Sequence, residues 1–591
     1  MMKDHGEALA LGVEAHRAAR EDGFSSSPRD MLALRPGMRN SKKYREQGLW
    51  RDETFLDDVR RWRDETPEST AISARSTGFQ AGDRGLTYRE YAESVERFAA
   101  ALYELGVGPG QVVAAQLPNW WQVNALTLAC LRVGAVFAPM ITTVRERELE
   151  RMLRGLGASV LVTTDQWEGF DHAAAAAAMA PRLPALRHRV VLGSRVRRDE
   201  IDFVRYFQDT PWERTHPMAL EDARHDPDRV AFAMFTSGTS GAPKAILHSC
   251  NTLYASMAPR VAGSRFSGQD QYDAQDAFYT PHALTHVMGL GVGLLGSLMT
   301  GGTCVMTDVW DPAGALEWMD RTRTTLLLAA PVFVSQLLAA AAPGASAPSA
   351  LRIVYCGGAP VPVRLTADVR TVLGVPLRTG WGMTEILSGT TTTPGDSDDW
   401  AARSSGRAVP GVEIDLRADG EMHGENPGRL FVRGAGLCLG TLGRDGGEAV
   451  LLEERNDGWY DTGDFAIPDG GGGIRLAGRA VDRIGAGFMI PVLDVEDALR
   501  GHPAVADVAL IGLPDGTPGG ELACAVVVAT PGTSGPALAD LRAWLTEQGM
   551  TEWYQPSRVE VVAALPRTYT GKVRKELLKR WLLGEADLTA E

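Results

Sequence analysis

The chain has 591 residues, too many for one compact core, and its 44% apolar and 23% charged composition is ordinary for a globular protein. Its 74 acidic residues outnumber its 60 basic ones, which gives a formal net charge of −14. Because no basic run stands out, this balance disfavours a nucleic-acid platform and favours a small-molecule enzyme of several folding units.

Cysteine spacing and the N-terminal composition bear on location. The six cysteines are scattered, without a CxxC pair or a His/Cys cluster at zinc spacing, and we expect them to be reduced and mostly buried. The N-terminus carries charge throughout, where a signal peptide needs an apolar core. The uncharged window 287–307 contains six glycines, which favour a buried helix, a turn and a strand over a membrane span. These patterns predict a cytoplasmic protein with no membrane or nucleic-acid partner.

The order of patterns along the chain predicts the domains. Residues 1–45 are polar and predict a loosely held N-terminal extension. Over residues 46–480, helical patterns repeatedly lead through a turn into a short apolar run, as in "LTYREYAESVERFAAALYELGVGPGQVVAAQLPN", and predict a large body of layered α/β sheets. Within it, short strands with glycine turns over about 406–480 predict a small β-rich, barrel-like subdomain. Residues 481–591 predict a small α+β C-terminal domain.

The segment "VAFAMFTSGTSGAPKAILHS" (230–249) combines an apolar strand with a loop of glycines and hydroxylated residues. Such a loop brings backbone N–H groups and hydroxyls to a phosphate, and Lys244 at its end neutralises charge. It is not a Walker A loop, because Gly-x-x-x-x-Gly-Lys-Ser/Thr is absent. A flexible surface loop is the alternative. The candidate phosphate-binding residues before the lysine are Thr236, Ser237, Gly238, Thr239 and Ser240.

This loop resembles the phosphate loop of the superfamily of acyl-CoA synthetases, peptide-synthetase adenylation domains and beetle luciferases, which activate carboxylates as acyl-adenylates. Taken singly, each motif has a structural alternative such as a helix cap or a turn, so the shared order of the motifs carries the resemblance. It covers roughly residues 45–580 and implies a C-terminal domain that moves about a hinge near 480–482. The further motifs, in the family's order, are "CGGAP" (356–360), "GWGMTE" (380–385), "DGWYDTGD" (457–464), "GR" (478–479) and "LPRTYTGKVRK" (565–575).

The resemblance implies a role for each matched residue. Lys572 would enter the site for adenylation, Thr384 would contact phosphate, and Glu385 would help to hold Mg²⁺. The chemistry asks for such groups, because a carboxylate that attacks the α-phosphate of ATP meets like-charge repulsion that lysines and Mg²⁺ neutralise. ATP and Mg²⁺ are thus the implied cofactors, with CoA left open. The further nucleotide-binding residues are Gly358, Ala359, Pro360, Trp381 in place of the family's tyrosine, Gly382, Met383, Asp464 on the ribose and Arg479.

The segment "YTPHALTHVMGLGVGLLG" (279–296) resembles the family's acyl-pocket motif, in the form found in ligases of alicyclic and medium-sized acids. Val287 stands where salicylate- and catechol-activating relatives usually have asparagine, which argues against a hydroxybenzoate. Glycines in the segment either leave room for a bulky ring or allow close core packing. No charged residue in 287–307 could receive an ammonium group, so a neutral-bodied carboxylic acid is favoured. The implied substrate-binding residues are His286, Gly289, Gly357 and Met383.

The stretch "GRAVDRIGAGFMIPVLDVED" (478–497) departs from the family. The segment from Asp482 to Pro491 is one or two residues shorter than in relatives, and Gly485 and Val481 replace a basic residue and the usual hinge residue. In the family this loop lines the tunnel by which the pantetheine thiol reaches the adenylate, and an odd shortening also flips side-chain facing.

The short loop suggests the hypothesis that the protein makes acyl-AMP and transfers it to CoA poorly, leaving that step to a separate CoA-transferring ligase. Split acyl-adenylate ligases of bacterial diterpenoid antibiotic pathways resemble this arrangement. The alternatives are a complete acyl-CoA synthetase that tolerates loop variation and a nucleotide-binding scaffold without catalysis. The intact lysines and Glu385 count against the scaffold.

Overall fold

The structure is a computed structural model of the chain. It describes residues 31–215, 226–236, 244–261, 272–341, 347–417, 427–442, 449–479, 484, 490, 492–514, 521–548, 550, 554–568 and 571–588.

Two nine-stranded sheets form the large body within the described ranges. Both sheets are parallel in the middle and antiparallel at one or both edges, and their central strands are apolar and buried on both faces. The predicted layered α/β body is therefore confirmed. In spatial order, the first sheet contains Arg407–Ala408, Thr390–Thr391, Leu377–Trp381, Ile353–Cys356, Leu326–Ala329, Ala277–Tyr279, Thr303–Thr307, Thr70–Ser76 and Gly82–Thr87. The second contains Ala449–Leu451, Gly440–Leu442, Lys244–Ser249, Val230–Thr236, Val136–Pro139, Val112–Gln116, Val160–Thr164, His188–Leu192 and Ile201–Asp202.

Helices cover the sheets where the sequence patterns predict them. The amphipathic helix Tyr88–Glu104 begins at a capping box between Thr87 and Glu90, which satisfies the first N–H groups of the helix. It leads through the glycine turn into the strand Val112–Gln116. The α-helices are Met38–Glu46, Phe55–Glu65, Tyr88–Glu104, Trp121–Val133, Glu146–Leu156, His172–Met179, Trp212–Thr215, Cys250–Val261, Ser297–Thr300, Pro312–Arg321, Pro331–Ala340, Val363–Leu373, Asp398–Arg403, Val492–Arg500, Leu538–Glu547 and Lys575–Leu582. The π-helices are Val204–Asp209 and Gly289–Gly296, and the short 3₁₀ turns are Met31–Ala33, Ala180–Arg182, Leu452–Glu454 and Asn456–Gly458.

The β-rich subdomain and the C-terminal domain have their own sheets. The subdomain is a four-stranded antiparallel sheet. The C-terminal domain packs helices against a three-stranded sheet with one antiparallel and one parallel strand pair. The strands of the first are Val412–Arg417, Gly428–Gly434, Tyr460–Pro468 and Ile474–Arg479. The strands of the second are Val505–Pro514, Glu521–Ala529 and Arg558–Val562, and a separate hairpin joins Gln166–Trp167 to Phe170–Asp171.

The N-terminal segment differs from the expectation of a loosely held extension. Residues 1–30 lie outside the described part of the chain. From residue 31 onward the segment packs on the large body, because Met31 and Leu34 bury their side chains in the second sheet's core and Asn40 donates to Glu453 at 2.9 Å. Apolar residues in an otherwise polar stretch therefore anchor it.

The uncharged window and the cysteines match their predictions. Residues 289–300 are helical and buried, Gly301 turns the chain, and the strand Thr303–Thr307 follows. No helix among the described residues is both long enough and apolar enough to cross a membrane. All six cysteines are free thiols buried in the structure.

Candidate active site

The predicted motif residues meet where central strands end. Thr236 ends one strand of the second sheet and pairs with Lys244 on its antiparallel neighbour. In the first sheet, Cys356 and Trp381 end neighbouring parallel strands, and the two motif loops follow them. The carboxyl ends of parallel strands are the usual location of ligand sites in open α/β sheets.

Glycines in these two loops allow the backbone to pass close to other atoms. A Cβ at Gly382 would lie 1.8 Å from the Leu387 carbonyl oxygen, so no other residue fits there. Gly358 has φ +80, and its Cβ position lies 3.1 Å from the Met288 sulfur, which brings this loop beside the predicted acyl-pocket segment. Of its neighbours, Gly357 is buried, Ala359 partly buried and Pro360 exposed.

Lys244 and Glu385 come together through a third residue, Tyr460. The Tyr460 hydroxyl donates to Glu385 Oε1 at 2.8 Å and lies 3.3 Å from Lys244 Nζ, which donates to it. The ammonium and the carboxylate are 3.9 Å apart. Burial and the neighbouring Glu385 carboxylate raise the pKa of Tyr460, so its hydroxyl stays protonated and acts as the donor to Glu385.

Trp381 and Asp464 form a second polar contact in the site. The Trp381 indole Nε1–H donates to Asp464 Oδ2 at 2.7 Å, and both residues are buried. In the strand register, the Asp464 backbone lies opposite that of Arg479 on the adjacent antiparallel strand. The predicted adenine and ribose residues are therefore next to each other, and Met383 packs in the same cluster as Trp381.

The Thr384 backbone is hydrogen-bonded to a buried histidine, His248. His248 Nε2 lies 2.8 Å from the Thr384 carbonyl oxygen and Nδ1 lies 3.0 Å from the Thr252 hydroxyl. An imidazole that donates from Nε2 to the carbonyl and accepts at Nδ1 satisfies both contacts as a neutral ring. Burial lowers the pKa of His248 to about 4, which keeps the ring neutral at ordinary pH.

Lys572 lies near two stacked histidines of the predicted acyl-pocket segment. His282 and His286 stack with ring centroids 4.9 Å apart, and the Ala330 amide donates to His282 Nε2 at 3.1 Å. Burial, and secondly the Lys572 charge, lower the pKa of His282 to about 3. Burial, His282 and Lys572 likewise hold the pKa of His286 well below its ordinary value. The C-terminal lysine is thus close enough to act on both rings.

The loop that carries Lys572 is braced on both sides. Within the loop, the Thr568 amide donates to the Lys572 carbonyl at 2.8 Å, and Arg567 joins the Gly571 carbonyl to the Asp507 carboxylate. Against the large body, a Cβ at Gly571, where φ is +83, would lie 2.3 Å from Val332 Cγ1. The C-terminal loop therefore touches the helix Pro331–Ala340 through bare backbone.

The glycines of the acyl-pocket segment face protein atoms. A Cβ at Gly289 would lie 2.2 Å from the Ala283 carbonyl oxygen, one at Gly291 would lie 3.0 Å from Leu387, and one at Gly293 would lie 3.1 Å from Thr280. These directions agree with the packing interpretation. A role for Gly289 beside the acyl group stays a prediction.

Several predictions fall outside the described residues, and several site residues were missed. Ser237, Gly238, Thr239 and Ser240 are outside, as are Asp482, Gly485 and Pro491 of the shortened loop. The missed residues are Tyr460, His248 and His282. Tyr460 could have been found, because it belongs to the motif "DGWYDTGD", whose last residue, Asp464, was already assigned to the site.

The donor set suits a magnesium–nucleotide complex. Glu385 is a nearly buried carboxylate whose Oε1 lies 3.9 Å from Lys244 Nζ, and no cluster of three or more metal-binding side chains occurs among the described residues. Mg²⁺ usually takes one or two carboxylates and completes its shell with phosphates and waters, so the chemistry of these residues fits the ion.

Comparisons with known proteins agree with the fold and show the family. The family model of AMP-binding enzymes matches residues 59–442, and that of their C-terminal domain matches residues 494–572. These matches define the class as adenylate-forming ligases. The chain belongs to the AMP-binding enzyme family and activates carboxylic acids through acyl-AMP.

Relatives in the family include two that the chain matches over most of its length. The 3-[(3aS,4S,7aS)-7a-methyl-1,5-dioxo-octahydro-1H-inden-4-yl]propanoyl:CoA ligase of Mycobacterium tuberculosis is 32% identical over 87% of this chain and 96% of its own. The salicylyl-CoA synthase / salicylate adenylyltransferase of a Streptomyces species is 30% identical over 92% and 96%. Among solved structures, the anthranilate CoA ligase AuaEII with anthranoyl-AMP has a TM-score of 0.77 at 23% identity, covering 91% of this chain and 98% of its own.

Proposed function

We propose that the protein activates a bulky non-amino carboxylic acid, alicyclic or terpenoid-like, to acyl-AMP with release of pyrophosphate. The adenylate then passes to a separate partner ligase, because CoA transfer on this chain is impaired. The alternative is a complete acyl-CoA synthetase. The domain boundaries at 45 and 480 and the residue roles given above are part of this proposal.

The observation that carries the adenylation step is the position of Lys572 beside the stacked His282 and His286. The Lys572 charge helps to lower the pKa values of both rings, and the same charge would neutralise the repulsion as the carboxylate approaches the α-phosphate. Lys244 would neutralise the nucleotide phosphates from the other side, and Asp464 would hold the ribose. Mg²⁺ held by Glu385 would add charge neutralisation on the phosphates.

Support for the kind of acid comes from two sources. Val287 occupies the position at which hydroxybenzoate-activating relatives carry asparagine, and it is buried. The M. tuberculosis relative is named for a bicyclic, methyl-substituted propanoate, which is a bulky alicyclic acid. The glycines at 289, 291 and 293 face protein atoms, so the proposal does not require that they leave room for the acid.

The impaired CoA step rests on the sequence of the segment 480–491. Its shortening and its loss of the basic residue before the glycines are the reasons to expect a poor pantetheine tunnel. An acyl-AMP ligase and a complete acyl-CoA synthetase differ in whether the CoA ester is formed, so one assay can separate the two alternatives.

That assay incubates the protein with ATP, Mg²⁺, CoA and a panel of acids, and follows products by mass spectrometry. The panel contains bicyclic propanoates, cyclohexanecarboxylate and salicylate. We expect acyl-AMP to accumulate with a bicyclic acid and salicylate to be poor. Rapid CoA-ester formation would establish the complete synthetase instead, and preference for salicylate would overturn the assignment of the acid.

Substitution of Lys572 tests the adenylation site. Lys572→Ala should lower acid-dependent ATP–pyrophosphate exchange by about a hundredfold or more, the usual effect of losing one group that stabilises developing charge. Lys579→Ala is the matched control, since Lys579 lies on the following helix and pairs with Glu521 at 3.4 Å. If both variants exchange at the rate of the unsubstituted protein, Lys572 does not serve adenylation.

A further inference from the structure

Tyr460 lies between the two charged groups that the proposed chemistry uses. Its hydroxyl is 2.8 Å from Glu385 Oε1 and 3.3 Å from Lys244 Nζ, while those two atoms are 3.9 Å from each other. A separation of 3.9 Å is too long for a direct hydrogen bond, so the hydroxyl completes a chain from ammonium to carboxylate. The ammonium also lies 5.5 Å from the centre of the Tyr460 ring, within cation–π range.

The three groups come from three separate elements. Lys244 begins a strand of the second sheet, Glu385 follows a strand of the first sheet, and Tyr460 begins a strand of the β-rich subdomain. Glu385 is only 5% exposed, so its carboxylate depends on hydrogen-bond donors in the protein. The Glu385 backbone is fixed as well, because its carbonyl accepts from the Cys438 amide at 2.7 Å.

We propose that Tyr460 is a positioning residue that holds the Glu385 carboxylate for Mg²⁺ and keeps Lys244 from closing onto it. By occupying Oε1, the hydroxyl fixes the orientation of the carboxylate. By accepting from Lys244, it also holds the lysine at the edge of the phosphate site. Without the hydroxyl, the Lys244 ammonium and the Glu385 carboxylate would pair directly. The lysine would then be less available to the phosphates and the carboxylate less available to Mg²⁺.

The inference rests on the proposed role of Glu385, and binding measurements separate the two. Calorimetric titration of ATP without acid, in Mg²⁺ and again in EDTA, measures binding without turnover. Tyr460→Phe should weaken ATP binding about tenfold in Mg²⁺, the scale of one hydrogen bond to a charged group, with about twofold change or less in EDTA. If Glu385→Gln leaves the benefit of Mg²⁺ intact, the proposed role of Glu385 fails, and with it the role of Tyr460.

A control variant and a double-mutant cycle make the test specific. Tyr91→Phe removes another buried hydroxyl, one that donates to the Asn124 carbonyl at 3.3 Å away from the site, and should bind ATP normally. In the Glu385→Gln background, Tyr460→Phe should cost little more, because the two residues act as one unit.

Three results would overturn the proposal: unchanged binding by Tyr460→Phe, equal loss in Mg²⁺ and EDTA, or additive losses with Glu385→Gln. The melting temperature of each ligand-free variant shows whether it is folded. If Tyr460→Phe melts at the same temperature as the Tyr91→Phe control and still loses Mg²⁺-dependent ATP binding, that result supports a positioning role for Tyr460 and not a general effect on stability.

Discussion

At residue 381, an indole ring holds the carboxylate that is proposed to bind ribose. Asp464 is 3% exposed, and a buried carboxylate without a donor is costly, so the Trp381 N–H stabilises it and fixes its orientation. The large ring fits because residue 389 is glycine, where a Cβ would lie 2.2 Å from the indole. Tryptophan in place of the family's tyrosine thus keeps a flat surface and directs an N–H donor at Asp464.

Trp381→Phe removes the donor and keeps an aromatic face. We expect ATP affinity to fall by about 2 kcal/mol, or about thirtyfold in Kd, since the hydrogen bond is to a charged group. Titration of ATP checks this. Trp318→Phe is the matched control, because Trp318 is equally buried and its indole nitrogen has no hydrogen-bond partner within the described structure. Equal ATP binding by the two variants would contradict the role of the indole N–H.

At the scale of elements, we expect the contact between the Lys572 loop and the helix Pro331–Ala340 to determine whether the lysine can take its proposed position. Gly571 meets Val332 so closely that even one methyl group has no room, and its positive φ disfavours any side chain. The close contact with Val332 and the positive φ should have different effects, and a pair of substitutions can separate them.

Gly571→Ala and Gly532→Ala both put alanine at a positive φ, but Gly532 has no atom within 4 Å of its Cβ position. Both should lower the free energy of unfolding by about 1 kcal/mol through backbone strain. Only Gly571→Ala should also displace the loop and slow pyrophosphate exchange. Thermal melting measures the loss of stability that both variants should show. Slow exchange in both variants would show that strain, rather than the helix contact, is responsible.

At the scale of the whole molecule, neutral buried histidines make stability depend on pH. Burial lowers the pKa of His172 and His248 from 6.5 to about 4, and that of His282 to about 3. The unfolded chain binds these protons near pH 6.5, so it holds more protons than the folded state between about pH 6.5 and 4. Stability from these groups is therefore present above pH 6.5 and falls as the pH drops through that window.

Urea unfolding at pH 7.5 and 5.5 tests this. Each such histidine should remove up to about 1.4 kcal/mol per pH unit below its ordinary pKa. His172 begins the helix His172–Met179, outside every predicted motif, and its Nδ1 is 3.2 Å from Gln116 Oε1. His172→Asn should therefore reduce the pH dependence and leave pyrophosphate exchange intact. An unchanged pH dependence in this variant would show that His172 does not contribute.

Local patterns predicted most of the architecture, because helix and strand periodicities are properties of contiguous sequence. The helix Tyr88–Glu104, the strand Val112–Gln116 and the glycine-broken window 287–307 follow from them. Motif order likewise selected Lys244, Glu385 and Asp464 as candidate site residues. The contacts that join these residues could not be predicted in the same way: Tyr460 and Glu385 are 75 positions apart, and Trp381 and Asp464 are 83. Such pairs depend on how separate sheets pack.

The bare backbone at Gly571 has a consequence for timing. A contact without a side chain buries little apolar surface and so contributes little free energy of its own. We therefore expect this contact to hold the loop only weakly against the large body, so that bound acid and nucleotide supply most of the free energy that keeps Lys572 in its proposed position. Lys572 would then stay in position only while acid and nucleotide are both bound. Once pyrophosphate has left, little would delay the movement of the loop away from the site.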